Sequence, residues 1–302
     1  MKKILITLVM IIVLCAGVFA QDSYFVRANG NDDNSGLSEA EALKTLSKAF
    51  SLALQGDINK ITVIGTLDVN SEGRDNSISI VQFQLLGNSS KEILITGKLN
   101  ARRAERAILS AAGAGRGVLY IHNSRIRLEH IEISNGENQI FGGISVISSH
   151  VTLGSGTVVR NNTSNGVSVG EGSILIIDGG EVRDNKNAGV TVGRDGLIEM
   201  HNGSITGNTD HFGAGVQIVQ GGLFKMHGGS ITGNTALLGG AGISIWSGGV
   251  FEMSGGSITR NRANDIGGGV YVQRGATFTN TGGTVRNNTA GRNDVDQNIY
   301  IE

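Results

Sequence analysis

The sequence contains no proline and only one cysteine among its 302 residues. Proline has no backbone N–H to donate, so its absence suits a chain that pairs its backbone along most of its length. The one cysteine, Cys15, lies in the apolar N-terminal segment, and no disulfide can form in the rest of the chain. Packing and hydrogen bonds must therefore hold the fold together.

Aromatic residues and an excess of charge of either sign are also lacking. Aromatics make up 5% of the chain, and 25 Lys and Arg face 26 Asp and Glu. No basic stripe indicates nucleic-acid binding, and no basic amphipathic helix indicates binding to a membrane surface. The abundant residue is glycine, with 47 copies, which can form the tight turns that proline does not.

Residues 1–20 have the pattern of a secretory signal peptide. Lys2 and Lys3 precede an apolar run, Ile4–Phe19, and small residues allow cleavage after Ala20. A membrane anchor is the alternative, but the run is shorter than the ~20 apolar residues that span a bilayer. The sequence thus predicts an exported protein, located in the periplasm, on the outer surface or outside the cell, with no membrane span after cleavage.

A short motif repeats through the second half of the chain. "GSITGNT" occurs at Gly203–Thr209 and Gly229–Thr235, and a variant follows at Gly256–Arg262. Repeats of this length indicate stacked structural units. Aligned on the asparagine, the motif recurs at steps of 24, 23, 26, 27 and 27 residues, at Asn161, Asn185, Asn208, Asn234, Asn261 and Asn288.

Each repeat contains three short segments in which apolar residues alternate with polar ones, the pattern of β-strands. One repeat cannot bury its apolar face alone, but stacked repeats can, with each strand pairing in parallel with its counterparts. We expect the asparagines to form a ladder that satisfies buried polar groups in a left-handed turn. The fold predicted is an all-β parallel solenoid of about ten three-strand coils.

The segments "GGSITGNTA" and "GGAGISI", at residues 228–236 and 239–245, carry a resemblance to a known class. They resemble the coils of right-handed parallel β-helices of the pectate-lyase-like class, and the repeats of exported bacterial proteins of the polymorphic outer-membrane type. The resemblance covers residues 118–302. It implies an architecture and leaves the activity open, because this class includes lyases, hydrolases, adhesins and proteins without known activity.

The sequence predicts four regions: the signal peptide (1–20), an N-terminal strand and capping helix (21–60), irregular first coils (61–117) and regular repeats (118–302). The helix is expected from about Ser38 to Leu54, with Ser38 and Glu41 as a capping box. One face of it is apolar, so we expect it to cover the first coil of the solenoid. The last coil, around Ile299–Ile301, has no evident cap, which favours end-to-end self-association.

Four groups of residues are candidates for a site. Trp246 and Tyr271 are predicted to face outward on neighbouring coils, where they could stack on sugar rings. Asn29–Gly36 ("NGNDDNSG") loosely resembles a calcium loop, although a polar turn before a helix explains it as well. Asp178, His201 and His227 recur in consecutive coils, as a zinc site or as a solvated column. The fourth group, two Ser/Thr columns that could order water or simply face solvent, comprises Ser204, Thr206, Ser230, Thr232, Ser257 and Thr259.

The repeats lack the clustered carboxylates that lyases and hydrolases of this class use, so no catalytic residue, metal site or cofactor is predicted. The sequence favours an exported, non-catalytic recognition or structural module, adhesin-like, whose partner is a polysaccharide or another cell-surface component. The alternative is a carbohydrate-active enzyme, a lyase or a hydrolase, with its site in the irregular coils.

Overall fold

The computed structural model describes residues 22–69, 83–86, 90–98, 106–113, 115–137, 142–291 and 295–302. The predicted signal peptide lies outside these ranges. Within them the chain forms one helix, α1 (Leu46–Gln55), and 31 strands.

The first nine strands are β1 (Tyr24–Arg27), β2 (Lys60–Ile64), β3 (Thr66–Asp68), β4 (Phe83–Leu86), β5 (Glu92–Gly97), β6 (Ala107–Ser110), β7 (Leu119–His122), β8 (Arg125–Glu129) and β9 (Ile131–Ser134). The next twelve are β10 (Ile144–Ile147), β11 (His150–Leu153), β12 (Val158–Arg160), β13 (Val167–Val169), β14 (Ile174–Arg183), β15 (Val190–Val192), β16 (Leu197–Thr206), β17 (Thr209–Phe212), β18 (Val216–Ile218), β19 (Leu223–Met226), β20 (Ser230–Thr232) and β21 (Thr235–Gly239). The last ten are β22 (Ile243–Ile245), β23 (Val250–Met253), β24 (Ser257–Thr259), β25 (Arg262–Ala263), β26 (Val270–Val272), β27 (Thr277–Asn280), β28 (Thr284–Arg286), β29 (Thr289–Ala290), β30 (Val295–Asp296) and β31 (Ile299–Ile301).

These strands stack into a parallel β-solenoid with three main faces. The first face is β1-β2-β5-β8-β11-β14-β16-β19-β23-β27, and the second is β3-β6-β9-β12-β14-β16-β20-β24-β28. The long strands β14 and β16 bend and belong to both. The third face is β4-β7-β10-β13-β15-β18-β22-β26-β31, and a short fourth stack, β17-β21-β25-β29-β30, lies beside it. The predicted architecture is confirmed. The turn count differs from the predicted ten coils, since about seven turns are wound between β7 and β31.

Like residues form columns inside the solenoid, as the alternation predicts. Phe224, Phe251 and Phe278 are in register on β19, β23 and β27, and their ring centroids are 5.1 and 5.0 Å apart. The core is continuous from Val26 to Val272. Backbones also approach closely at the corners: a Cβ on Gly215 would lie 2.4 Å from the carbonyl oxygen of Gly242, so this position requires glycine.

The helix α1 is shorter than predicted. It begins at Leu46 and is capped by Thr45, whose side chain accepts a hydrogen bond from the Lys48 N–H. Ser38 accepts a hydrogen bond from the Glu41 N–H, but both residues lie before the helix. Leu43 is drawn into a bridge with Val26 of β1 instead, and this pairing prevents the earlier start. The predicted apolar face is buried, and α1 packs on β1, β2 and β5.

The asparagine ladder runs through the corner that follows the second face. Its amides donate to the Oδ1 of the next asparagine at 2.8–3.0 Å, in the order Asn162, Asn185, Asn208, Asn234, Asn261, Asn288 and Asn298. The assignment of Asn161 was wrong by one residue. Val159 is in register with Val182, so Asn162, three residues after Val159, is the buried corner residue.

The left-handed backbone conformation belongs to the residue before each ladder asparagine from Asn162 to Asn288. Asn161 has a φ of 54° and is exposed, and the equivalent residues in later coils also have positive φ: Asp184, Gly207, Gly233, Arg260 and Asn287. Asparagine adopts this conformation more readily than most residues, which explains the paired asparagines at Asn161-Asn162 and Asn287-Asn288. The ladder asparagine itself is thereby turned inward.

Candidate functional site

The two aromatics predicted to form a stacking platform pack together beneath a turn. Phe212, at the end of β17, lies 5.2 Å from Trp246 and 5.7 Å from Tyr271 between ring centroids. Tyr271 is only 4% exposed, so the expectation that both rings face solvent was wrong. Trp246 is half-buried. Trp246 and Tyr271 thus belong to one packed cluster, because Phe212 at the end of β17 lies against both rings.

Tyr271 is buried, and its hydroxyl forms a hydrogen bond. Its hydroxyl donates to the carboxylate of Glu302, and its ring stacks on Tyr300 at 6.0 Å. Burial, with a contribution from Glu302, raises the pKa of Tyr271 to about 12. This tyrosine therefore stays protonated over the physiological range and acts in packing.

The calcium-like loop holds the start of α1. Asp32 Oδ1 accepts hydrogen bonds from the Lys44 and Thr45 N–H groups at 2.9 Å, and Oδ2 accepts from the Thr45 hydroxyl at 2.8 Å. This carboxylate thus orients the residue that caps the helix. Its oxygens are engaged in positioning backbone, as the polar-turn interpretation predicts.

The predicted Asp–His–His column is brought together only in part. His201 and His227 stack with ring centroids 5.1 Å apart, and His227 Nδ1 is 3.0 Å from the Ser254 hydroxyl. Ile177 pairs with Met200 but Asp178 pairs with Asn202, so the extra residue on β16 at this point is His201, and Asp178 is out of register with the histidines. In the described ranges, no group of three or more His, Cys, Asp or Glu side chains could hold a metal ion.

The two Ser/Thr columns are in register on the second face. Ser204, Ser230 and Ser257 are followed by Thr284, and Thr206, Thr232 and Thr259 are followed by Arg286. All six are half-buried, so the columns form an ordinary polar strand surface three coils long. Ordering of water by this surface stays a prediction.

The structure shows a candidate site that the motifs did not indicate, at the first strand of the fourth stack. Asp210 on β17 is in register with Ala236, which pairs in turn with Ala263 and then Ala290. The later coils use these alanines to fill a small apolar cluster. One coil therefore places a carboxylate where three others bury a methyl group.

Backbone N–H groups hold this carboxylate in place. Asp210 Oδ2 accepts from the Ala188 N–H at 3.1 Å, and Oδ1 accepts from the His211 N–H at 2.5 Å. The side chain is only 16% exposed. Burial raises the pKa of Asp210 above its ordinary value of 3.8, although the two N–H donors and His211 act in the opposite direction. A half-buried carboxylate with a raised pKa is typical of a functional site.

A shallow groove of about 270 Å³ opens beside Asp210, and we call it the Asp210 groove. It is lined by Lys186, Asn187, Thr209, Asp210, His211, Thr235 and Leu237. Leu237 is 52% exposed and its neighbour Leu238 is 39% exposed, so an apolar surface borders the polar one. The groove combines a fixed acceptor, a cation, an amide and an aliphatic wall, in a volume suited to one small unit of a ligand.

A second groove of about 410 Å³ lies on the first face, at the N-terminal coils. Lys60, Lys98, Glu129 and His130 are among its lining residues. Lys60 is 3.2 Å from Asp22, Lys98 is 2.6 Å from Glu39, and Glu129 is 2.6 Å from Arg127. Each of these three charges is thus paired with an oppositely charged side chain.

Comparison with known proteins gives a family and little further detail. A profile described as the right handed beta helix region matches residues 142–301. A solved structure, the native GH136 lacto-N-biosidase from Eubacterium ramulus, aligns with 93% of this chain and 68% of its own, at 10% identity and a TM-score of 0.31. No curated protein matches the chain. In the part of the chain that the structure describes, no helix has the length and hydrophobicity needed to cross a membrane. Since the profile spans more than half of the 302 residues and the strands form the same solenoid, the chain belongs to the right-handed β-helix family.

Proposed function

We propose that the protein is an exported, non-catalytic recognition module that binds one sugar unit of a polysaccharide or another cell-surface glycan in the Asp210 groove. The observation that carries this proposal is the carboxylate of Asp210 in a column that is otherwise alanine. A carboxylate cannot extend the apolar cluster that these alanines form. It is held half-buried, at the edge of a groove that is open to solvent.

The Asp210 groove contains side chains that can bind a sugar. Sugar hydroxyls donate to a carboxylate, and hydrogen bonds to a charged acceptor are stronger than neutral ones. The amide of Asn187 can both donate and accept, and the exposed Leu237 offers an aliphatic surface to the C–H face of a pyranose ring. The N-terminal pattern of residues 1–20 supports export, which would bring the groove into contact with glycans outside the cytoplasm.

Asp210→Ala is expected to lower the affinity for the bound glycan by about tenfold to a hundredfold, because it removes a charged acceptor worth roughly 1.5–3 kcal/mol. The backbone tolerates alanine here, since the next three coils carry it at this position. Loss of the acceptor for the Ala188 N–H should cost only about 1–2 kcal/mol of stability. A glycan array followed by calorimetry on each hit measures the effect.

Glu171→Ala serves as the matched control. It removes one exposed carboxylate from a turn that does not line the groove, so it should bind like the wild type. If Asp210→Ala kept full affinity for every glycan that the wild type binds, the groove would not be the site. Wild-type protein that binds no glycan on the array would overturn the proposal itself.

Binding should weaken as the pH falls through the raised pKa of Asp210. Protonation removes the negative acceptor, and because burial raises this pKa, the loss should begin above pH 3.8, the ordinary midpoint of an aspartate. Asp210→Asn cannot titrate and should bind more weakly, with no such step. Calorimetric titrations between pH 7 and pH 4 test this, and an identical step in the Asn variant would assign the pH dependence to another group.

The groove at the N-terminal coils favours a second candidate function, a carbohydrate-active enzyme. Glu129 and His130 lie side by side in it, and carboxylate and imidazole are the usual groups for general acid and base catalysis. Release of new reducing or unsaturated ends from any array hit would contradict the non-catalytic proposal. Loss of that turnover in Glu129→Gln, with binding retained, would assign the chemistry to this groove.

A further inference from the structure

The outer side of the first face carries an unusual apolar column. Strand pairing puts four aliphatic side chains in register on consecutive strands, each facing outward and half-buried: Ile174, Leu197, Leu223 and Val250. His150 precedes them and Thr277 follows them. Outward strand positions of a solvated face are usually polar, so four aliphatics in succession indicate a surface that is covered.

A second outward column runs beside the first, two residues along each strand. Its members in register are Thr152, Ile176, Glu199, Lys225, Glu252 and Thr279. Lys225 Nζ lies 3.8 Å from Glu252 Oε2, and the two side chains are 35% and 52% exposed, so this pair is weak. The column thus presents a negative, a positive and a negative charge in sequence.

We propose that this face is the interface of an antiparallel homodimer. The two copies are related by a two-fold axis that lies in the interface, parallel to the strands. This axis reverses the order of the coils in the second copy, so each outward column faces the same column of that copy. Placed between β16 and β19, it puts Leu197 against Leu223 of the second copy. The same axis puts Ile174 against Val250 of that copy.

The charges match under the same axis. Glu199 meets Lys225 of the second copy, and by symmetry this pair forms twice. At the ends of the two columns, His150 meets Thr277 of the second copy and Thr152 meets Thr279 of that copy. Both are compatible polar pairs. Ile176 faces Glu252, whose side chain is 52% exposed and can stay in water. The face is therefore complementary to itself along the aliphatic column and at Glu199 and Lys225, which identifies a second copy as its occupant.

The expected affinity is modest. Six strands on each side come into contact, over about 24 Å along the solenoid and about 13 Å along the strands. At about 310 Å² per copy, this contact is below the ~800 Å² per partner of a standard interface, so we expect a weak dimer with a dissociation constant on the order of 100 μM. Analytical ultracentrifugation of the purified protein, expressed with its own N-terminal leader, should show a dimer that dissociates on dilution from about 200 to 1 μM.

A charge swap tests the arrangement. Glu199→Lys opposes Lys225, and Lys225→Glu opposes Glu199, so each single variant creates two like-charge contacts and should weaken the dimer by about tenfold or more. The double variant Glu199→Lys/Lys225→Glu restores both pairs and should return the dissociation constant to within about threefold of the wild type. Circular dichroism checks that all three variants are folded.

The competing arrangement, end-to-end association, has its own control. Ile301 on β31 is 67% exposed at the end of the third face, far along the chain from Lys225. Ile301→Lys should leave the proposed dimer unchanged. A dimer lost in Ile301→Lys but kept in Glu199→Lys would overturn the proposal in favour of the end. A monomer at 200 μM, or a double variant no tighter than the singles, would also overturn it.

Discussion

Asn234→Ala is expected to lower the free energy of unfolding by about 3–5 kcal/mol. Asn234 is fully buried in the middle of the ladder. Its Oδ1 accepts from both the N–H and the amide of Asn208, each at 3.0 Å, and its own amide donates to Asn261 Oδ1 and the Ile205 carbonyl. Alanine leaves these groups buried without partners, at a cost of roughly 1–3 kcal/mol each before relaxation. Urea unfolding followed by circular dichroism measures the change.

Asn161→Gly is the matched control for the ladder. Asn161 is exposed, with a φ of 54°, and later coils have Gly207 and Gly233 at the equivalent position. We therefore expect a change within about 1 kcal/mol in either direction, since glycine adopts this conformation readily. A similar loss in both variants would show that the corner conformation, and not the buried amide ladder, stabilises the coils.

Phe251→Ala is expected to cost about 3–5 kcal/mol and to reduce the cooperativity of unfolding. The ring is fully buried between Phe224 and Phe278, so its removal leaves a cavity that two rigid neighbours on paired strands cannot fill. In a solenoid each coil is stabilised mainly by the coils beside it, so a cavity here should uncouple the coils on either side. Urea unfolding monitored by both circular dichroism and limited proteolysis would show an intermediate.

Phe278→Ala provides the comparison within the same column. Phe278 has a fully buried neighbour on one side only and is itself half-buried, so the substitution should cost less than half as much as Phe251→Ala. Equal losses at the two positions would mean that the phenylalanine column does not act by burial.

The candidate site shows which information was in the sequence and which was not. Aligned coil by coil, Thr209-Asp210 corresponds to Thr235-Ala236 and Thr289-Ala290, so the lone carboxylate could have been read from the repeat. The surroundings of Asp210 could not be read from the repeat, because the groove is also lined by Lys186 from the preceding coil and Leu237 from the following one. Trp246 shows the converse. Its outward position follows from alternation, but its covering by Phe212 depends on a turn of irregular length.

The sequence by itself determined the solenoid, its three strands per coil and the residues that face inward. The reason is physical: a repeat of fixed length, with alternating apolar residues and no proline, can bury its apolar side chains only by stacking on copies of itself. The tertiary structure alone decided the register at the first corner, where Asn162 replaces Asn161 in the ladder, because the left-handed residue precedes the buried one. It also decided the outer surface, since contacts between neighbouring coils, and not periodicity within one coil, determine which outward side chains meet water.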